Sequence, residues 1–226
     1  IGLDRPAPGD SETQWSRLAA RYLRKEFALT KEVKRATVHI AGMGLYELFI
    51  NGQRIGEQVL APAPTDYRKT ILYNTYDVTP QLQKENAIGV ILGNGRFYTM
   101  RQNYKPYKIP TFGYPKLRLN LIVEYTDGSR QTIASDISWK LTTEGPIRSN
   151  NEYDGEEYDA RKELGDWNRT GYDDTNWIPA GRVSIPSGTL RAQMMPGMKV
   201  TESLKPVSIR KQGDKQILDI GQNMAG

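Results

Sequence analysis

The chain has 226 residues, 38% of them hydrophobic and 25% charged, with a formal net charge of +5. That is enough for one large soluble sandwich, or for one domain and part of another. No apolar run approaches the roughly 20 residues of a membrane span. The lack of Cys excludes disulfides and thiolate metal sites.

In chain order, Ile1-Gly2-Leu3-Asp4 has neither Met nor a basic-then-apolar leader and reads as an internal start. Residues up to Ala20 read as irregular, with 16–22 suited to about two helical turns. Residues 1–22 are therefore a lead-in. Leu23, Phe27 and Leu29, then Ala36, Val38 and Ile40, fall at strand spacing. Gly42-Met43-Gly44 breaks the chain before Tyr46, Leu48 and Ile50. Asn51-Gly52 follows directly, and this pair accepts the positive φ angles of a tight hairpin turn.

Further strands are expected at 71–76 and 87–92. Between them, Thr79 reads as the N-cap of a short helix with Pro80 as its first residue. Leu117, Leu119, Leu121, Val123 and Tyr125 make the strongest strand. Asp127-Gly128 turns it into a partner at 130–134, and 139–142 is another strand. Residues 167–186 read as loop. Two more strands at 199–211 and 216–220 read as the start of a second β domain, assigned to 200–226. Helical periodicity is weak throughout. The fold class is all-β: a jelly-roll, galactose-binding-like β-sandwich over 23–199.

Three features could carry chemistry. No acidic residue lies between Glu85 and Glu124, and basic side chains alternate there with aromatic ones. Gly93-Asn94-Gly95 opens this stretch at a strand end, where sandwiches bind ligands. Asn94, Gly95, Arg96, Tyr98 and Tyr104 combine polar groups with aromatic faces, as sugar sites do. The same stretch equally reads as an ordered loop packed on the sheet. Pro106, Pro110 and Pro115 interrupt it, and it carries no nucleic-acid motif. The second feature is the acidic stretch Glu152 to Asp159, followed by Arg161 and Lys162. It reads as a polar loop or docking surface rather than as a facing pair of catalytic carboxylates. The third is His39, the only histidine, which lies across the strand from Val38 and Ile40 and reads as structural. With one His and no Cys, neither a Zn site nor a Ser-His-Asp triad has a basis. Trp139, Trp167 and Trp177 read as packing residues.

The ordered series Arg24-Lys25-Glu26-Phe27, Tyr46 to Gly52, Thr65-Asp66-Tyr67-Arg68-Lys69, Leu92-Gly93-Asn94-Gly95, Gly155 to Arg161, Tyr172-Asp173-Asp174-Thr175-Asn176-Trp177 and Asp219 to Gly226 resembles the N-terminal β-sandwich of bacterial α-L-rhamnosidases. The resemblance covers nearly the whole chain. It implies a non-catalytic accessory domain, without catalytic residues of its own, ahead of an inverting (α/α)6 barrel. It also implies a rhamnose-containing glycan or glycoside as partner and a periplasmic or extracellular parent protein. Neither nucleic acid nor membrane is implied. Some members use related sandwiches as rhamnose-binding modules with Ca²⁺ as cofactor. By that likeness Asn94 and Pro146 are the expected metal ligands. Glu156, Tyr158, Asp159 and Arg161 are the expected contacts to the barrel.

Overall fold

The protein is seen as a computed structural model that describes residues 1–5, 18–98, 112–151 and 155–223. It is all-β. The strands are β1 (Arg21–Ala28), β2 (Val33–Met43), β3 (Leu45–Ile50), β4 (Gln53–Arg54), β5 (Thr70–Asp77), β6 (Glu85–Gly93), β7 (Lys116–Tyr125), β8 (Arg130–Ala134), β9 (Lys140–Thr142), β10 (Ile147–Asn151), β11 (Gly155–Tyr158), β12 (Ile178–Pro179), β13 (Thr189–Ala192), β14 (Ser208–Gln212) and β15 (Lys215–Asp219). They form a six-stranded sheet in the order β12-β9-β1-β6-β3-β4 and a five-stranded sheet in the order β13-β5-β2-β7-β8. The hairpins β10–β11 and β14–β15 are separate two-stranded sheets.

Period-2 patterning drives the two large sheets together. Leu23 on β1, Leu48 on β3 and Val90 on β6 face Val38 and Ile40 on β2 and Leu119 and Leu121 on β7, and all are buried. Trp139 is wholly buried in the same core, its indole N–H donating to the Ala134 carbonyl at 2.9 Å. This is the expected jelly-roll sandwich. The β14–β15 hairpin is a separate two-stranded sheet outside it. It exposes Ile209 and Leu218.

The Asn-Gly turn forms as expected, with Asn51 at φ 51° and Gly52 at φ 82°. It also ties elements together. Asn51 Nδ2 donates to the Gln81 carbonyl and to Asn86 Oδ1, both at 2.9 Å, and Asn51 Oδ1 accepts from Ala87 N–H at 2.8 Å. Gly52 N–H donates to the Asn168 carbonyl at 3.0 Å. A Cβ at Gly52 would lie 2.8 Å from the Arg169 guanidinium carbon, so glycine here also admits the 166–177 segment.

Several expectations are corrected. The helix expected over 16–22 is not found in its described part: Arg21 and Tyr22 already belong to β1 and pair with Leu92 and Ile91. Sheet pairing overrides local helix propensity there. The break falls at Gly44 (φ 124°), and β2 runs through Gly42 to Met43. The turn after β5 is a 3₁₀ turn, Thr79–Gln81, capped at Val78. Thr79 is inside it, donating its N–H and hydroxyl to Asp77 at 3.0 and 2.7 Å. The expected strand 199–211 shrinks to Ser208–Gln212, because Pro206 offers no ladder N–H. The parallel pairing of β13 with β5 and the strand β10 were not foreseen.

Each sheet has a covered outer face. On the six-stranded sheet, Tyr22, Trp167 and Trp177 form a second apolar cluster, joined by Phe49 and Ile91. Arg24, beside Tyr22 on that face, anchors the covering segment. Arg24 is 1% exposed. Its Nε donates to the Trp167 carbonyl at 2.8 Å and its Nη2 to the Arg169 carbonyl at 2.9 Å and to Glu26 at 2.5 Å, while its Nη1 pairs with Asp174. The Tyr172 ring lies 5.4 Å from the guanidinium carbon. Replacing Arg24 with Met leaves these carbonyls and carboxylates without their donor. We expect a loss of about 3 kcal/mol, the low end for breaking a buried pair, because Glu26 and Asp174 keep some solvent. Urea unfolding of Arg24→Met against the parent chain measures it.

Candidate functional site

The end of β6 meets β3 and β10 in a close-packed corner. Gly44, with φ 124°, opens the approach: a Cβ there would lie 2.1 Å from the Gly93 carbonyl oxygen. Gly95, with φ 48°, sits against Leu45. Asn94 lies between them and is 2% exposed. Its backbone N–H donates to Asn150 Oδ1 at 2.6 Å, and its Nδ2 donates to the carbonyls of Leu18 at 2.9 Å and Asn150 at 2.7 Å. Asn94 thus fastens the lead-in and β10 to the end of β6. Asn94 Oδ1 and Asn150 Nδ2 are buried without a hydrogen-bond partner.

The expected sugar-site residues follow different fates. Gly95 shapes the turn. Tyr98 is buried and stacks on Tyr114 with ring centroids 5.6 Å apart. Phe97 is wholly buried with Tyr67 and Phe112 on the outer face of the five-stranded sheet. In its described part the aromatic stretch packs on the sheet. Arg96 is half-buried, and Tyr104 lies outside the described residues.

The two residues implied for Ca²⁺ do not converge. Asn94 bonds to Asn150, while Pro146 precedes β10 at the other end. Four residues of strand separate Pro146 from Asn150, about 13 Å at 3.3 Å per residue. Oxygens sharing one Ca²⁺ lie within about 5 Å of each other, given Ca–O bonds of roughly 2.3–2.6 Å. The Pro146 carbonyl instead accepts from Asp159 N–H at 2.8 Å. Among the described residues no group of three or more His, Cys, Asp or Glu could hold a metal ion. The chain's residues do not fit the implied Asn94–Pro146 ion.

The described part of the acidic stretch is the strand β11 rather than a loop. β11 pairs with β10, placing Glu156 opposite Asn150 and Tyr158 opposite Ile147. Glu156 is exposed, and Tyr158 is 53% exposed with its hydroxyl on Glu163. Glu152 and Asp154 lie outside the described residues. Asp159 caps the 3₁₀ turn Ala160–Lys162, accepting from Arg161 N–H at 3.1 Å and from Nε and Nη2 at 2.8 Å each. Those bonds hold its carboxyl at about 2.

The same pattern recurs elsewhere. Asp66, Asp77, Asp127, Asp136, Glu144 and Asp173 all lie below the ordinary carboxylate range. Each is held there first by a side-chain hydrogen bond, from Arg68, Thr79, Lys31, Ser138, Lys162 and Thr175 respectively. At Asp4, burial pushes the carboxyl up, and bonds from Lys116 and Ser184 outweigh it. Among the described carboxyls that are shifted, every shift is downward. His39 Nδ1 lies 3.0 Å from Thr75 Oγ1, a surface pairing without a catalytic neighbour.

Fold and corner together define an all-β sandwich module with a hydrogen-bonded corner at the end of β6 and, among the described residues, ion-paired surface acids. Residues 31–202 match the family model of the α-L-rhamnosidase N-terminal domain, and the chain belongs to that family. It is 43% identical over 214 residues to an α-L-rhamnosidase of Formosa agariphila, covering 92% of this chain and 22% of that protein. The α-L-rhamnosidase structure from Dictyoglumus thermophilum superposes with a TM-score of 0.82 at 43% identity, covering 92% of this chain and 23% of that one. The Streptomyces avermitilis α-L-rhamnosidase, solved in complex with L-rhamnose, gives a TM-score of 0.83 at 35% identity, over 92% of this chain and 20% of that one. The chain thus spans about a fifth of the length of its relatives.

Two measurements check the corner and the cap. Asn94→Ala removes the donor to two carbonyls, and chemical denaturation should show a loss of about 1–3 kcal/mol. The Asp159 carboxyl should titrate at about 2 by NMR, and Arg161→Gln should move it up toward the ordinary 3.8. Because its folded value is depressed, its contribution to the turn is present above the ordinary value and lost as pH falls through about 2.

Proposed function

We propose that this chain is a non-catalytic accessory sandwich of an α-L-rhamnosidase. The longer protein would hydrolyse terminal α-L-rhamnosyl residues from glycans or glycosides. The observation that carries this reading is membership of the α-L-rhamnosidase N-terminal family by a chain that spans about a fifth of its relatives' length, and the downward shifts among the described carboxyls support it. An inverting glycosidase needs one carboxylic acid kept protonated by its surroundings, with a carboxylate about 6.5–9.5 Å away to activate water. Hydrogen-bonded carboxylates held low stay ionised and do not supply the protonated acid of that pair. The exposed strand β11 and the turn after it, with Glu156, Tyr158, Asp159 and Arg161, would then be the docking face for the (α/α)6 catalytic domain of the parent chain.

A second reading is a carbohydrate-binding module for L-rhamnose. The buried, partnerless Asn94 Oδ1 favours it, since a sugar hydroxyl could donate there. A relative solved with L-rhamnose lends it support. Neither reading draws on a metal.

The chain alone, incubated with an aryl α-L-rhamnoside, should release no phenol. Turnover that falls on alanine substitution of Glu156 and Asp159 would defeat the accessory reading. Calorimetry with L-rhamnose separates the two readings: a flat titration leaves the structural role, and saturable heat unaffected by a chelator establishes the binding role.

A further inference from the structure

A cavity of about 390 Å³ lies on the outer face of the five-stranded sheet. Its floor is built from the outward residues of β7 and β2. Arg118 there pairs in register with Ala41, and Asn120 with His39. Its roof is the segment 183–188, which is fixed at both ends. Gly2 and Gly181 exchange backbone hydrogen bonds at 3.1 and 3.0 Å before it, and β13 pairs with β5 after it. Ser184 N–H donates to Asp4 at 2.7 Å, and Ser187 Oγ donates to the Arg68 carbonyl at 3.1 Å. A Cβ on Gly188 would lie 2.3 Å from the Tyr67 carbonyl oxygen, so the roof is pressed to the sheet. The cavity is preformed, which lowers the ordering cost of binding.

The free hydrogen-bonding capacity of its polar walls is mainly donor. Lys116 is buried and already occupied by Asp4 and by Ser184 Oγ. Arg118, exposed in the cavity wall, has no carboxylate partner among the described residues. Ser135 Oγ accepts from Leu119 N–H at 3.0 Å, so its O–H is left to donate. Ser184 Oγ accepts from Lys116 at 3.3 Å, which leaves its O–H in the same position. The Asn120 amide adds two donors and one acceptor. The remaining wall is aliphatic, with Met43, Ile71 and Leu190, apart from the terminal ammonium of Ile1, which donates to the Leu117 carbonyl at 2.7 Å. A guanidinium fork among hydroxyl donors suits a carboxylate on a body that carries further acceptor oxygens.

We propose that this cavity binds a sugar acid, its carboxylate on Arg118 and its hydroxyl oxygens on Ser135, Ser184 and Asn120. The anion follows from the cavity alone. Its being a saccharide rests on the functional reading above. The acid-free stretch between Glu85 and Glu124 thereby gains a use, since it supplies both Lys116 and Arg118 to one wall.

The test is an NMR titration of the 226-residue chain with D-glucuronate, D-glucose, hexanoate and L-rhamnose in parallel. Glucuronate should shift the Asn120 and Ser135 amides saturably, with glucose about tenfold weaker or more, as expected when a charged hydrogen bond is lost. Arg118→Gln should weaken glucuronate by about the same factor. Arg130→Gln, which removes a neighbouring surface cation, should not. Equal responses to glucuronate and glucose, or an unchanged Arg118→Gln, would overturn the anion site. Hexanoate binding as tightly as glucuronate would overturn the saccharide. The L-rhamnose arm reports on the functional reading, and its response should be the same in Arg118→Gln as in the parent chain.

Discussion

The buried guanidinium of Arg24 holds the 166–177 segment to the six-stranded sheet. Arg24 projects from β1 away from the core, where a strand residue meets water unless something covers it. It is covered by the 166–177 segment, whose carbonyls at Trp167 and Arg169 and carboxylate at Asp174 bind the cation. Burying an unpaired arginine would be prohibitive, and an uncovered Trp167 and Trp177 would expose a large apolar patch. Each side removes the other's penalty. The Asn51-Gly52 turn completes the arrangement by accepting the same segment at its tip.

The same economy of surfaces explains where binding chemistry can and cannot reside. The strand-end corner around Asn94 is closed by hydrogen bonds that join the lead-in, β6 and β10. It behaves as a joint of the scaffold, with one acceptor left over. Among the described residues the opposite outer face is covered only in part. Tyr67, Phe97 and Phe112 seal one region, and the 183–188 segment spans the next without filling the space beneath it. Openings in this sandwich therefore lie on a sheet face as much as at its ends.

The surface acids tell a consistent story. They cap turns and pair with nearby cations, as Asp159 does with Arg161 and Asp127 with Lys31. That use stabilises local backbone and keeps the groups ionised. It is the reverse of the desolvated setting that holds a catalytic acid protonated. An accessory role beside a separate catalytic domain agrees with this electrostatic pattern and with membership of the α-L-rhamnosidase N-terminal family.

What the sequence by itself determined was whatever depends on near neighbours along the chain. Alternation from Leu117 to Tyr125 is enough to make β7, and Asn51-Gly52 and Asp127-Gly128 are enough to make tight turns, because strand faces and turn dihedrals are local properties. The ordered motifs carried the family for the same reason. Local signals misled where a distant partner prevailed. Residues 21 and 22 look helical until β6 pairs with them. Tertiary structure alone decided that Arg24 meets the Trp167 and Arg169 carbonyls, well over a hundred residues away. It alone also decided the parallel seat of β13 on β5 and the cavity beneath the segment that leads to it. Burial and hydrogen-bond satisfaction are properties of the assembled surfaces, and no stretch of the chain contains them until both surfaces meet.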